Sequence, residues 1–496
     1  MLEEFNMFQN LPSFSRIRCA SISALVCASL LMGAQADEIS PAQAKADLER
    51  LYTGLISAEA DLFAETPKEV LDRHYEELKV EYSAPVSRAD LFKDFQSFAA
   101  LANHGHTRLE GLSPAWQNFV ANDGKVFPVT FSVFQGDVIV ASAPPESQIK
   151  PGDRIISIDE KANPIWLREI TRFISAETPT LAYSLLGQGE YYYFWLAYGE
   201  QEAYRVVVER DGEEIISELK ATSIEALDRN IEQESGFDLP GRKAKFINDQ
   251  IGYLRPGPFY HFEAETAEDA YNADALEAYV RFIDDSFNSF LEKEIDHLIL
   301  DLRDNPGGDA SFSDPVVSWF ATEPFRFASD FRIRVSEETT ASNQARLDTR
   351  DSAAGGVSQT FADLFASAKN GDLVSFEIPY VSPREGDTFD GKVHVLVNRF
   401  SYSNAVSVAA MIQDYGFATI YGEETRDMAT TYGAMEHFSL TNSGFKVGYP
   451  KAHIIRPNGE TKTNPVTPDV SIKVPAVRGE QDVMLNALVQ LIEDGQ

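Results

Sequence analysis

The chain has 496 residues, of which 44% are hydrophobic, enough for two to four domains with cores of their own. It carries 43 basic and 77 acidic side chains and a formal net charge of −34 at pH 7. This acidic excess argues against nucleic acid and anionic membrane surfaces as partners, because both would repel it.

The N-terminal segment, residues 1–36, is typical of a signal peptide. Arg16 and Arg18 precede a short apolar run over 20–32, and Ala-Gln-Ala at 34–36 is a cleavage motif. The run is short for a membrane span, although an uncleaved anchor is an alternative. The segment predicts an exported protein, periplasmic or secreted, with no membrane span after cleavage.

Both cysteines, Cys19 and Cys27, lie inside this segment. The mature chain would therefore have no disulfide, no cysteine nucleophile and no thiolate metal site.

Residues 37–112 have the pattern of an N-terminal helical domain. Ser-Pro at 40–41 and Thr-Pro at 66–67 begin two helices, and a capping box at Ser87 begins a third. The third helix ends at Asn-His-Gly-His-Thr, 103–107. Two histidines around a glycine could bind a metal, but no third ligand lies near, and a glycine C-cap is the alternative.

Residues 120–225 have the pattern of a β domain. A Pro-Gly-Asp turn at 151–153 precedes alternating isoleucines, and Asp211-Gly212 is a hairpin turn. The sequence PGDRIISID at 151–159 resembles the corresponding piece of PDZ domains, which implies a groove for an extended peptide. A structural β domain without a ligand is the alternative.

After a polar linker at 223–243, strands and helices alternate from 244 to 480, which predicts an α/β core. Residues 335–390 are polar and predict an irregular insertion or lid with one helix near Ser358. A C-terminal helix over 480–496 closes the chain. The predicted core elements are a strand at 251–254, a long helix at 267–292, a strand at 297–302, and a strand–helix–strand unit at 393–421.

A candidate nucleophile lies at the turn of that last unit. The buried strand pattern from Val393 stops at Asn398, and a helical pattern begins after Ser403. Ser403 would therefore lie at a helix N-terminus, where free N–H groups and the helix dipole favour a hydroxyl or an oxyanion. An ordinary serine N-cap is the alternative.

Two glycines, Gly307 and Gly308, follow the strand at 297–302. Glycines there allow backbone N–H groups to face a phosphate or an oxyanion. No Gly-Lys-Ser/Thr follows, so a P-loop is excluded.

The chain resembles the S41 peptidase family, which includes C-terminal processing (tail-specific) and tricorn-like proteases. The resemblance is carried, in order along the chain, by 103–107, the PDZ-like middle, LILDLRDNPGG at 298–308, the stretch 397–425 and Pro-Asp at 468–469. It implies a core of the crotonase-like, ClpP and tail-specific protease type. It also implies a serine peptidase that acts on peptides or unfolded proteins without a cofactor or a metal.

By this resemblance Ser403 is the nucleophile, with Ser401 as the rival serine. The oxyanion donors would be the N–H of Asn404 and one from Gly307 or Gly308.

The departures from the family pattern concern the base. Tail-specific members use a lysine at the place that Met428 occupies, which argues against a Ser–Lys dyad. Tricorn-like members take a histidine from a Gly-His-Thr segment, which implies His106 as general base, with His104 where the family usually has an acidic residue. The orienting glutamate precedes the closing Pro-Asp, where this chain has Lys462, and Glu460 is the nearby substitute.

The leading hypothesis is therefore an exported S41-type serine peptidase. The alternatives are a catalytically idle S41-like protein that binds peptides or other ligands, and an esterase or amidase with the same Ser–His pair. The sequence does not predict the oligomeric state.

Overall fold

The computed structural model describes residues 38–187, 189–228, 241–264, 266–349, 355–479 and 481–495. The predicted signal peptide lies outside these residues, as do parts of the predicted linker and insertion. Within these ranges, no helix is both long enough and apolar enough to cross a membrane.

The N-terminal part is helical, as predicted. Ser40 forms a capping box with Gln43, and the Ser87 hydroxyl accepts from the Asp90 N–H. A helix also follows Pro67, so all three predicted helix starts are present. The elements are β1 (Glu38–Ile39), α1 (Pro41–Ala58), α2 (Lys68–Glu81), β2 (Val86–Ser87) and α3 (Arg88–Ala100).

The middle part is an antiparallel sheet with helices packed on it. The sheet has the order β10-β9-β7-β6-β5, with β8 on β7. The hairpin turn is at Asp211 and Gly212, both at positive φ, as predicted. The elements are β3 (Arg108–Leu109), α4 (Pro114–Ala121), β4 (Lys125–Val126), β5 (Thr130–Phe134), β6 (Asp137–Ser142), β7 (Arg154–Ile158), β8 (Lys161–Ala162), α5 (Asn163–Thr171), α6 (Pro179–Leu186), α7 (Glu190–Tyr198), β9 (Ala203–Arg210), β10 (Glu213–Lys220) and β11 (Thr222–Ser223). The resemblance of this middle part to PDZ domains stays a prediction.

The C-terminal part contains two sheets. Its elements are β12 (Lys243–Phe246), β13 (Ile251–Arg255), α8 (Ala267–Ala270), α9 (Ala273–Glu292), β14 (His297–Asp301), α10 (Ala310–Ser318), β15 (Asp330–Arg334), α11 (Glu337–Thr349), α12 (Gly355–Ala366), β16 (Leu373–Ser375), β17 (Lys392–Val397), α13 (Asn404–Tyr415), β18 (Thr419–Gly422), β19 (Thr431–Ser439), β20 (Lys446–Ile455), β21 (Val470–Ser471) and α14 (Val483–Glu493).

The first sheet has the order β12-β13-β14-β17-β18-β21, and all its pairs except β12–β13 are parallel. Its buried strands have continuous apolar runs, as parallel strands covered on both faces require. The predicted α/β core is confirmed. Because β14 and β17 are parallel neighbours, the loops after their carboxyl ends lie side by side.

The second sheet has the order β16-β15-β20-β19, and β3 adds to β20. Residues 335–390, which the sequence predicted to be irregular, contribute α11, α12 and β16 to this layer. The helix predicted near Ser358 is α12, whereas α11 and β16 were missed because their apolar side chains are few. Phe361, Phe365 and Phe376 nevertheless form a buried cluster with β15 and β20.

The N-terminal helices share one core with the β19–β20 hairpin. Leu48 and Phe95 of the helices are buried in the same cluster as Phe438, Val447 and Tyr449 of the hairpin. The segment between α3 and β3, which contains His106, is therefore fixed at one end by this core and at the other by the β3–β20 pairing.

Candidate active site

Ser403 lies where β17 turns into α13. Its backbone has φ 51° and ψ −127°, a conformation that residues with a side chain rarely adopt. It occupies the N-cap position but makes no side-chain capping hydrogen bond. The sharp strand-to-helix turn directs the serine into a cleft, as in a nucleophile elbow.

Ser401, the rival serine, has a structural role. Its side chain is 1% exposed, and its hydroxyl donates to the carbonyl of Leu302 at 2.8 Å.

His106 is the side chain that the fold brings to Ser403. Its Nε2 lies 3.4 Å from the Ser403 Oγ, although the two residues are 297 positions apart in the chain. The His106 ring stacks on Tyr402 at 5.4 Å between centroids, and the Tyr402 hydroxyl donates to the Gly105 carbonyl at 2.9 Å. A 3.4 Å separation is long for this pair, as is common for catalytic hydrogen bonds without substrate.

The pKa of His106 is lowered to about 3. Burial is the largest cause, since the imidazolium loses its hydration, and the charge of Arg108 and the His104 ring act in the same direction. His106 is therefore a neutral imidazole that can accept a proton at neutral pH.

The Nδ1 of His106 is buried and makes no hydrogen bond to any residue that the structure describes. The backbone carbonyl of Tyr432 faces the ring and favours its protonated form, but it falls short of hydrogen-bond geometry. No carboxylate contacts this nitrogen within the described chain.

Glu460, the predicted third residue, is not brought to His106. Its side chain is exposed and accepts from the Lys462 N–H at 2.8 Å. The loop that contains it is held at the end of α13, where the Asp414 carboxylate binds Arg456 and Asn458. This anchoring directs Glu460 to solvent.

Asp427 is a site residue that sequence reasoning missed. The Ser403 N–H donates to its Oδ2, and the Met428 N–H donates to its Oδ1 at 2.9 Å. The Asp427 side chain is buried, with the residue 1% exposed. It lies in the loop between β18 and β19, where no motif or periodicity distinguishes it from the neighbouring polar residues.

The two glycines approach Ser403 from the β14 loop, with φ values of 91° for Gly307 and 132° for Gly308. A Cβ on Gly307 would lie 2.7 Å from the Asn404 nitrogen, so only glycine fits there. The Gly307 N–H already donates to the Asn305 side chain at 2.9 Å. In the described part of the chain, the N–H groups of Gly308 and Asn404 have no acceptor, which leaves both available to an oxyanion.

The cleft beside Ser403 is small, about 50 Å³, and mainly apolar. Its apolar walls are Tyr271, Phe327, Phe331, Ala434, Met435 and Ile454. No lysine of the described ranges lines it, and Met428 is buried in a bridge with Pro465. Across the described residues, no group of three or more His, Cys, Asp or Glu side chains could hold a metal ion.

A serine at a strained strand-to-helix turn of an α/β core, with a neutral histidine beside it, places the protein among hydrolases of the serine type. Residues 263–472 match the model of Peptidase family S41. This match supports the S41-type peptidase core and the serine-type peptidase activity that the sequence predicted.

Solved structures of this fold cover nearly the whole chain. Mature CPAF complexed with lactacystin has a TM-score of 0.61 at 14% identity, covering 92% of this chain and 97% of that chain. Mature CPAF alone has a TM-score of 0.57 at 13% identity, covering 91% and 96%. At this identity the likeness shows the fold. A search of curated protein sequences finds no significant match.

Proposed function

We propose that this chain is an exported peptidase that cleaves peptide bonds through an acyl-enzyme, with Ser403 as nucleophile and His106 as general base. The observation that supports this pair is the 3.4 Å separation between the Ser403 Oγ and the His106 Nε2. The family match supplies the reaction class.

In the first step, Ser403 Oγ attacks the peptide carbonyl carbon while His106 Nε2 takes the hydroxyl proton. The carbonyl oxygen becomes an oxyanion and accepts from the N–H groups of Gly308 and Asn404. The intermediate collapses, the C–N bond breaks, and His106 gives its proton to the leaving amine. A water molecule, deprotonated by His106, then attacks the ester carbonyl. The ester C–O bond breaks, His106 returns the proton to the Ser403 Oγ, and the new carboxylate is released.

The low pKa of His106 has two effects on this reaction. It keeps the base unprotonated across the physiological range, and it makes proton abstraction from Ser403 less favourable. A Ser–His pair without a direct third member still reacts, more slowly than a full triad.

One observation favours the second hypothesis, a catalytically idle protein that binds peptides. The His106 Nδ1 has no carboxylate partner in the described chain. An idle protein would keep the cleft but lack a reactive Ser403.

A fluorophosphonate probe separates the two hypotheses. We expect covalent labelling of the folded protein at Ser403, unchanged in Ser401→Ala, lost in Ser403→Ala and strongly slowed in His106→Ala. Absence of labelling in the folded parent protein supports the idle binder. Hydrolysis of small esters without any peptide cleavage by the labelled enzyme supports an esterase or amidase instead.

Export is proposed from residues 1–36, whose positive flank, apolar run and cleavage motif are those of a signal peptide. Cleavage after residue 36 would release the chain that contains every described element.

A further inference from the structure

A second buried carboxylate lies behind the His106 loop. Glu59 follows α1 and is 0% exposed. Its Oε2 is 3.0 Å from the His104 Nδ1, and its Oε1 accepts from the Thr107 hydroxyl. The Glu59 carboxylate thus binds two residues that flank His106 in the chain, His104 and Thr107.

The same loop is fixed by further contacts. The His104 ring stacks on Tyr432 at 4.4 Å between centroids, and the backbone carbonyl of Tyr432 faces His106. The His104 backbone N–H donates to the Ser175 hydroxyl at 2.9 Å. The Nε2 of His104 is buried without a partner among the residues described, so Glu59 is the one hydrogen-bond partner of this ring there.

We propose that Glu59 is the positioning residue of the His106 base, acting through His104 and Thr107 in place of a carboxylate on His106 itself. This inference rests on the proposed function. Glu59 contacts neither Ser403 nor the cleft, so its effect on the reaction is exerted through the two residues that it binds.

Glu59 also sets the charge next to the base. Burial alone would lower the pKa of His104, but the bond to Glu59, helped by the charges of Glu177 and Glu65, raises it above its ordinary value. Burial, the charge of Arg108 and the interaction with His104 together lower the pKa of His106.

The sign of the effect follows. Without the Glu59 charge, burial lowers the pKa of His104, so His104 repels a proton on His106 less. The pKa of His106 then rises, and the base becomes protonated at a higher pH. Because only neutral His106 accepts the serine proton, the acid limb of kcat/KM moves to higher pH.

The test compares Glu59→Gln with Glu338→Gln. Glu338 is a buried carboxylate that binds Arg50 at 2.6 Å and Ser57 at 2.9 Å on the same helix, α1, but does not contact the His106 loop. In Glu59→Gln we expect kcat and the rate of fluorophosphonate labelling to fall about 10- to 100-fold. This is part of the roughly 10²- to 10⁴-fold rate acceleration that a general base contributes. KM should stay at the parent value, and the acid limb should move to higher pH. Glu338→Gln should show none of these changes even if its Tm falls.

Thr107 provides a second test that does not depend on the folding of Glu59→Gln. Thr107→Val removes the hydroxyl and leaves the Glu59–His104 pair, so kcat should fall without a shift of the acid limb. Thr107→Ser restores the hydroxyl and should restore kcat.

Folded Glu59→Gln or Thr107→Val that labels at the parent rate overturns the inference and leaves the proposed function intact. A folded parent protein that is not labelled at Ser403 overturns both.

Discussion

Replacing Asp427 with asparagine should slow the reaction of Ser403 while leaving the fold intact. The two carboxylate oxygens of Asp427 accept from the N–H groups of Ser403 and Met428. Asparagine has one oxygen in place of two. Whichever way the amide turns, one of the two N–H groups faces an NH₂ group and loses its acceptor.

The size of the effect follows from two comparable energies. A buried donor left without an acceptor costs about 1–3 kcal/mol. The positive φ of Ser403 stores strain of about 1–3 kcal/mol, which the surrounding contacts must hold. Because the lost restraint is of the same order as the stored strain, we expect the turn to relax and the Oγ to move away from His106. A displacement of about 1 Å lowers a rate about 10²-fold.

The assay is the second-order rate of fluorophosphonate labelling at Ser403, measured beside the Tm. Asp47→Asn is the matched control, because the Asp47 carboxylate is buried and accepts from the N–H groups of Asn442 at 3.0 Å and Ser443 at 2.6 Å, outside the cleft. Both variants should lose about 1–3 kcal/mol of stability. Only Asp427→Asn should lose labelling rate, by about 10- to 100-fold.

Equal labelling rates in folded Asp427→Asn and Asp47→Asn would refute this reasoning. In that case the conformation of Ser403 would be held by the rest of the turn, and Asp427 would contribute to stability alone.

Four further predictions concern pH, the third residue, the substrate and export. The kcat/KM of the free enzyme should hold down to about pH 5, because the pKa of His106 is lowered to about 3 and the base is lost only as pH falls through that value; an acid limb near 6.5 contradicts the burial of this ring. Glu460→Gln should leave kcat/KM unchanged, since its carboxylate is exposed, and a large loss would restore Glu460 as the third catalytic residue. Peptides with an apolar side chain before the scissile bond should be cleaved about tenfold faster than those with aspartate or lysine, because Phe327 and Phe331 form the cleft wall; equal rates would place that side chain elsewhere. Sequencing of the exported protein should give Asp37 as the first residue, and retention of 1–36 would indicate an uncleaved anchor.

The sequence predicted the elements whose pattern is local. The apolar runs of β14 and β17, the glycines after β14 and the change to helical periodicity after Ser403 are each readable within a few residues. These patterns predicted the α/β core, which is confirmed. The S41 family followed from the resemblance of the motifs at 298–308 and 397–425, and the family model matches residues 263–472.

The sequence could not predict contacts that depend on distant segments. Asp427 and Glu59 are isolated acidic residues in the sequence, and only the folded chain shows that they are buried against Ser403 and the His106 loop. Glu460 was chosen because it lies two residues from Lys462, which occupies the family's glutamate position. The sequence could not show that the loop turns the Glu460 side chain towards solvent. Helix α11 and strand β16 of the insertion were missed because their short or polar stretches give no clear hydrophobic period.

The shared core of the N-terminal helices and the β19–β20 hairpin has a consequence for synthesis. The loop with His106 is fixed only after β20, which ends at Ile455, has joined helices that begin at Pro41. Contacts this far apart in sequence form late in folding. On the proposed mechanism, a chain that ends before β20, or one that is unfolded, cannot place His106 beside Ser403. Peptide hydrolysis would then begin only once nearly the whole chain has been made and folded.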